Sequence, residues 1–283
     1  MTSVAGIALA HPILNASGTL DALAAHAVLG DATLGASAHV TKTIFPEPRS
    51  GNAAPRIAET AGGMLNSIGL PGPGIAAFLA DVLPRTLAVV GSTPVIVSIG
   101  GASIADYVRL ARALDGVAGV AALELNLSCP NIESGCIAIG ADIGETSDVT
   151  ARVRADTSLP LLVKLSPSVS DIVALARAAA AAGADALTLT NTARGLAVRT
   201  DTGASVLGGP GGGLSGPPLR PLTLAAVFAV RRALAIDIVG VGGVGSPSDA
   251  GELLAAGATV VAVGTATFRD PTTIRRIAAV YRL

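Results

Sequence analysis

The sequence predicts a TIM (β/α)8 barrel, a closed cylinder of parallel strands wrapped by helices with long loops at its C-terminal face. Three observations carry that prediction. Short apolar runs bounded by Gly, Pro or polar clusters alternate with longer helical stretches eight times over. Some runs are continuous rather than alternating, as in Val95-Ile96-Val97, which suits parallel strands covered on both faces. The chain has 283 residues, and eight such units within about 250 residues is the arithmetic of this barrel. An open, doubly wound sheet is the alternative, but eight regular repeats favour closure. No domain boundary is visible, so residues 1–283 read as one domain.

The elements follow in order. The expected strands are Ile13–Ala16, Ala38–Lys42, Val95–Ile99, Ala122–Leu127, Leu161–Leu165, Ala186–Thr190, Asp237–Val241 and Thr259–Val263. Between and after them the expected helices are Asp21–Leu29, Gly74–Val90, Ile104–Leu114, Glu145–Ala155, Ser170–Ala182, Pro218–Leu234, Pro247–Ala256 and Thr272–Val280. The fourth strand alternates, with Leu123, Leu125 and Leu127 on one face, and Pro130 ends it because proline cannot donate to a ladder. Two connections, Thr43 to Gly72 and Asn191 to Pro217, are too long for plain βα loops. Each follows a strand's C-terminal end. The glycine-dense second one could be a linker, but its place inside the repeat favours a substructure over the barrel mouth.

Composition limits the partners. Hydrophobic residues make up 51% of the chain and aromatics 2%, so the core is built from small side chains. A net charge of -1 implies no basic face and no nucleic-acid partner. Two cysteines and three histidines supply neither a disulfide framework nor an obvious metal site. The first ten residues lack the pattern of a signal peptide. The Ala-rich run Val173 to Ala182 holds Arg177 and is too short to span a bilayer. A cytoplasmic protein without a membrane partner is expected.

Polar residues and glycines collect where the strands end. The first two strands give Asn15-Ala16-Ser17-Gly18 and Thr41-Lys42-Thr43, the third Gly100-Gly101, and the fourth Asn126, Cys129 and Asn131. Lys164 with Ser166, Asn191-Thr192, Gly242-Gly243 and Gly264-Thr265 complete the set. In such barrels this end is the catalytic face. Cys129 between two carboxamides suggests chemistry, although cysteine is equally a small core residue. A lysine in an apolar strand must be paired or lose its charge. A salt bridge to Glu124 would account for Lys42 or Lys164; two lysines aimed at one mouth instead suggest an anionic ligand. Glycines at the last two strand ends let backbone N–H groups approach a phosphate.

These residues match a family. The chain resembles the class 1 dihydroorotate dehydrogenases nearly end to end, through Asn15-Ala16-Ser17-Gly18, Thr41-Lys42-Thr43, Asn66-Ser67-Ile68-Gly69-Leu70-Pro71, Asn126-Leu127-Ser128-Cys129-Pro130-Asn131, Lys164-Leu165-Ser166-Pro167, Gly213-Leu214-Ser215-Gly216-Pro217, Gly242-Gly243 and Gly264-Thr265. The loop Gly135 to Asp142 is similar to subclass 1B, apart from Cys136 where that loop has glycine. The resemblance implies FMN as cofactor and oxidation of dihydroorotate to orotate in pyrimidine biosynthesis. It implies Cys129 as the base for C5 and Lys164 beside the N1/O2 edge of the flavin. It implies that Asn66, Asn126, Asn131 and Asn191 bind the pyrimidine and its carboxylate, with Thr192 beside them. Lys42 would touch substrate and flavin, with the backbone of Gly69 and Leu70 near the carboxylate. Ser17, Thr43, Asn126, Gly216, Gly242, Gly243, Gly264 and Thr265 would hold FMN. It further implies a homodimer and a partner subunit carrying FAD and an iron–sulfur cluster that passes electrons to NAD. The alternatives are a related FMN barrel acting on another pyrimidine, such as uracil, and a barrel that binds a phosphate ligand without turnover.

Overall fold

The computed structural model describes residues 2–127 and 141–282, and the backbone alone at 130–131 and 137–138. Its centre is a single sheet of eight parallel strands: β1 (Ile13–Asn15), β2 (His39–Val40), β3 (Val95–Ile99), β4 (Val120–Asn126), β5 (Leu161–Leu165), β6 (Ala186–Leu189), β7 (Asp237–Val241) and β8 (Val260–Val263). Each strand pairs with the next in the chain from β2 to β8, and β8 returns to pair with β1, Val261 opposite Ile13. The one seam without a ladder lies between β1 and β2. There the buried Asn15 carboxamide does a peptide's work: its Nδ2 donates to Val40 O at 2.8 Å and its Oδ1 accepts from Val40 N at 2.9 Å. The cylinder is thereby closed, as the eightfold βα pattern predicts.

Period-two alternation sorts the strand residues into two cores. Leu123, Leu125 and Leu127 face outward and pack with Val163, Leu187, Leu110 and Val153 between strands and helices. Leu14, Val40, Ile96, Ala122, Leu162, Ala186, Val239 and Val260 face inward and fill the lower barrel. Val4, Ile7 and Leu9 of an N-terminal hairpin, Thr2–Val4 with Ile7–Leu9, join that inner core. Its turn, Ala5-Gly6, has both φ angles positive, the conformation that suits a two-residue hairpin. None of the eight expected strands includes this hairpin.

Helices follow the strands with bounds close to those expected. Ser103 caps Ile104–Leu114, accepting from Asp106 N, while Asp106 Oδ2 accepts from Ala102 N at 3.0 Å. Asp142 caps Ile143–Ala155, so that helix starts two residues before the expected Glu145. The stretch expected as one helix from Gly74 to Val90 contains a π-helical turn over Phe78–Val82. Pro84, just after that turn, has no N–H to give to the preceding turn of helix, which explains the irregular ladder. β2 is shorter than the expected Ala38–Lys42, because beyond Val40 only single bonds continue, such as Thr41 N to Ile96 O and Ile44 N to Ser98 O.

The two long connections meet above the barrel. Strands Ile57–Thr60, Gly63–Asn66, Gly212–Ser215 and Ala193–Gly195 form one antiparallel sheet, with Gly213 opposite Asn66. Gly213 is required by this closeness: a Cβ there would stand 2.1 Å from Thr192 Oγ1. No helix among the described residues is long and apolar enough to cross a membrane.

Candidate active site

Between the barrel's C-terminal face and the antiparallel sheet lies a cavity of about 740 Å³. Its floor comes from strand ends, and its roof includes Asn66, Ile68 and Leu70. Volumes of roughly 300–1,000 Å³ are usual for small-molecule and cofactor sites.

The floor is polar because the same alternation that turns Leu123, Leu125 and Leu127 outward turns Asn126 into the cavity, with Glu124 inside the barrel beneath it. Lys164 is the ladder partner of Asn126 on one side and of Thr188 on the other. Lys164 and Glu124 are both buried, with Nζ 3.7 Å from Oε1. Thr188 Oγ1 donates to Glu124 Oε2 at 2.9 Å. The salt bridge weighed for Lys164 is therefore present, and Lys164 still lines the cavity.

Lys42 also lines the cavity but has no salt-bridge partner among the described residues. Burial, with the Arg56 guanidinium second, lowers its pKa from the ordinary lysine value; Asp21 acts the other way. A half-buried ammonium without a close counter-ion suits an anionic ligand.

The carboxamides form a relay. Asn126 Nδ2 donates to Thr43 Oγ1 at 3.1 Å, and Asn191 Nδ2 donates to Asn126 Oδ1 at 3.0 Å. Asn191 Oδ1 accepts from Thr192 N at 2.8 Å. Thr43 Oγ1 lies 2.9 Å from Ser98 Oγ, and Ser17 Oγ donates to Thr41 O at 2.8 Å. Asn66 reaches down from the roof sheet, where its Nδ2 donates to Gly213 O at 3.2 Å. Amides that both donate and accept match a ring carrying alternating N–H and C=O groups.

At the far end the lining passes to Gly216, Gly242, Gly243, Gly264 and Thr265. Packing behind the pocket itself demands glycine at 242 and 243. A Cβ at 242 would come within 2.1 Å of Thr223 Oγ1, and one at 243 within 2.5 Å of Arg220 Cβ. Glycine-rich backbone at the ends of the last two strands is how phosphate is often held at this corner of such barrels. A flavin mononucleotide suits this set on size, on the cation at Lys164 and on the glycine-lined end.

Of the residues expected from sequence, Ser17, Lys42, Thr43, Asn66, Leu70, Asn126, Lys164, Asn191 and Thr192 meet here with the glycines and Thr265. Gly69 stands one residue behind the lining. It has φ +70, and a Cβ would clash with Asn52 N at 2.3 Å, so its requirement is the turn that presents Leu70. Cys129 and Cys136 lie outside the described residues, as does the side chain of Asn131, whose backbone pairs with Ile137. Sequence reading passed over Ser98 and Thr188, which look like ordinary strand residues. Their signal is register: Ser98 stands opposite Glu124, and Thr188 opposite Lys164.

Comparison with known proteins agrees with this geometry. The family model for dihydroorotate dehydrogenase matches residues 1–280. A protein of Desulforudis audaxviator (strain MP104C), named dihydroorotate dehydrogenase B (NAD(+)), catalytic subunit, is 45% identical over 277 residues, covering 98% of this chain and 89% of its own. Proteins of the same name from Geobacter sp. (strain M21) and Geobacter sulfurreducens are each 45% identical, over 277 and 281 residues, with 98% of this chain and 90% of theirs covered.

Proposed function

The chain belongs to the dihydroorotate dehydrogenase family, and from that premise we propose that it oxidises dihydroorotate to orotate, a step of pyrimidine biosynthesis, with FMN as its flavin. One observation carries the reading: a single mouth cavity gathers two lysines, three asparagines and the glycine-lined ends of β7 and β8. Lys42, which has no close carboxylate among the described residues, takes the substrate's carboxylate. Asn66, Asn126 and Asn191 orient the ring, with Asn131 and the Leu70 backbone completing its surround. Asn126 is held for this by Thr43 and Asn191.

Lys164, which lines the cavity, would offer its charge to a bound flavin where negative charge develops on reduction, electrostatic stabilisation of the kind that dominates many active sites. Ser17, Thr43, Asn126, Gly216, Gly242, Gly243, Gly264 and Thr265 hold the cofactor. Cys129 is the general base. A thiol of pKa roughly 8.5 is partly ionised near neutral pH and takes the proton from C5. When bound, FMN supplies the acceptor for the hydride from C6, so that C5 and C6 become doubly bonded.

The relatives are named as catalytic subunits of NAD(+)-linked enzymes, which supports a partner subunit that carries the electrons onward. FAD and an iron–sulfur cluster in that partner, and a homodimer of this chain, belong to the same reading. The test is anaerobic. Purified protein is yellow, and its flavin absorbance bleaches on adding dihydroorotate but not dihydrouracil. Bleaching by dihydrouracil alone would move the substrate to an uncarboxylated pyrimidine. A colourless protein that binds phosphate compounds would make it a non-catalytic barrel.

A further inference from the structure

Glu124 has no part in the reaction as derived so far, and it does not line the cavity. It is nevertheless a carboxylate on the inner face of the barrel, only 3% exposed. Thr188 fixes Oε2, whereas the buried Oε1 has no hydrogen-bond partner among the described residues. Placing such a group in a barrel interior is costly unless an opposite charge answers it. Its answer is Lys164, 3.7 Å from that orphaned oxygen.

The distance matters. Charge-assisted N–H···O bonds run at about 2.7–2.9 Å, so the pair attracts without a hydrogen bond. Lys164 donates no hydrogen bond among the described residues, so its N–H groups are available to the cavity it lines. Beside Lys164 and Glu124 in the ladder, β6 and β3 bring the hydroxyls of Thr188 and Ser98, and no other carboxylate lies within salt-bridge range of Lys164 among the described residues. Glu124 is therefore the only anion close to Lys164 among the described residues.

We infer that Glu124 is a positioning residue: fixed by Thr188, it holds the Lys164 ammonium in place with its donors turned into the cavity, and so directs that charge toward the cofactor. Without the carboxylate the attraction that holds the lysine at this place is gone, and its ammonium is free to turn away from the cofactor. The favourable field on the reduced cofactor is lost with it. This inference rests on the flavin reading above and assigns a residue to it.

The test compares Glu124→Gln, Lys164→Ala and the double variant with wild-type holoenzyme, by flavin midpoint potential from dye titration and by anaerobic bleaching with dihydroorotate. Glutamine keeps the shape of the side chain and an oxygen for Thr188. The expected result is retained FMN, bleaching at least tenfold slower, and a more negative potential. A tenfold weaker hold on two electrons corresponds to a shift of about 30 mV. The double variant should match Lys164→Ala, because Glu124 acts through the lysine. If Glu124→Gln does not fold, Thr188→Val, which frees the carboxylate but keeps its charge, should shift the potential the same way by less. An unchanged potential in the variant that folds, or effects of Glu124→Gln and Lys164→Ala that simply add, overturns the inference. Wild-type protein that dihydroorotate fails to bleach sinks the proposed reaction instead, whatever the variants do to the potential.

Discussion

Replacing Lys42 by methionine removes a charge while keeping most of an unbranched, flexible side chain. The wild-type ammonium is half-buried at the cavity wall and has no carboxylate within salt-bridge range among the described residues. Its proposed partner is the substrate's carboxylate. A hydrogen bond to a charged group is worth about 1.5–3 kcal/mol, and each 1.4 kcal/mol is tenfold in affinity. Orotate should therefore bind the Lys42→Met variant roughly 10- to 150-fold more weakly. Uracil, which has the ring without the carboxylate, should bind it within about twofold of wild type, because the asparagine relay is intact. Isothermal titration of the FMN-loaded protein with both ligands reads the difference directly. The lysine pKa is lowered by burial and Arg56, so the preference for orotate should fade with rising pH before an ordinary lysine would titrate. Equal weakening of orotate and uracil, or no loss for orotate, would refute the assignment of Lys42 to the carboxylate.

Other predictions follow from the same structure. Asn15→Ala leaves Val40 N–H and C=O unpaired at the barrel seam, and at about 1–3 kcal/mol per buried unsatisfied group should cost roughly 2–6 kcal/mol in urea unfolding. A loss under about 0.5 kcal/mol would mean that the seam does not depend on that amide. His39 is buried, its Nδ1 lacks a hydrogen-bond partner among the described residues, and burial pulls its pKa down to about 4 against a weaker opposing pull from Asp21. The folded state thus prefers the neutral ring. Its stabilisation is complete above about pH 6.5 and is lost as pH falls toward 4, by about 3 kcal/mol at the limit. His39→Phe should flatten that part of the stability–pH curve, and an unaltered curve would count against it. Cys129→Ser should keep FMN but slow flavin reduction by at least about tenfold, since an alkoxide is far less available than a thiolate; full activity would take Cys129 out of the base role.

The barrel was legible because its strands obey a rule that needs no tertiary context. Alternation in Leu123–Leu127 and β-branched runs such as Val95–Val97 already say which faces are covered, and the eightfold repeat sets the order. The candidate site was legible because Lys42, Asn126, Lys164 and Asn191 stand at or near the C-terminal ends of parallel strands, which gather at one rim. What escaped was set by contacts remote in sequence. The hairpin plug depends on Val4 and Ile7 meeting Val239 and Ile96 inside the barrel, which no local pattern reveals. The roof sheet pairs Leu65 with Leu214, far apart along the chain, and neither strand is apolar enough to announce itself. Glu124 was visible as one possible lysine partner, but which lysine it serves depended on strand register.

The most direct test of the whole account is a crystal structure of the chain with FMN and orotate bound. The account predicts orotate in the mouth cavity with its carboxylate on Lys42, its ring edge on Asn126 and Asn191, the flavin on one face and the Cys129 sulfur on the other. Orotate bound elsewhere, or a flavin lying away from Lys164, would contradict it.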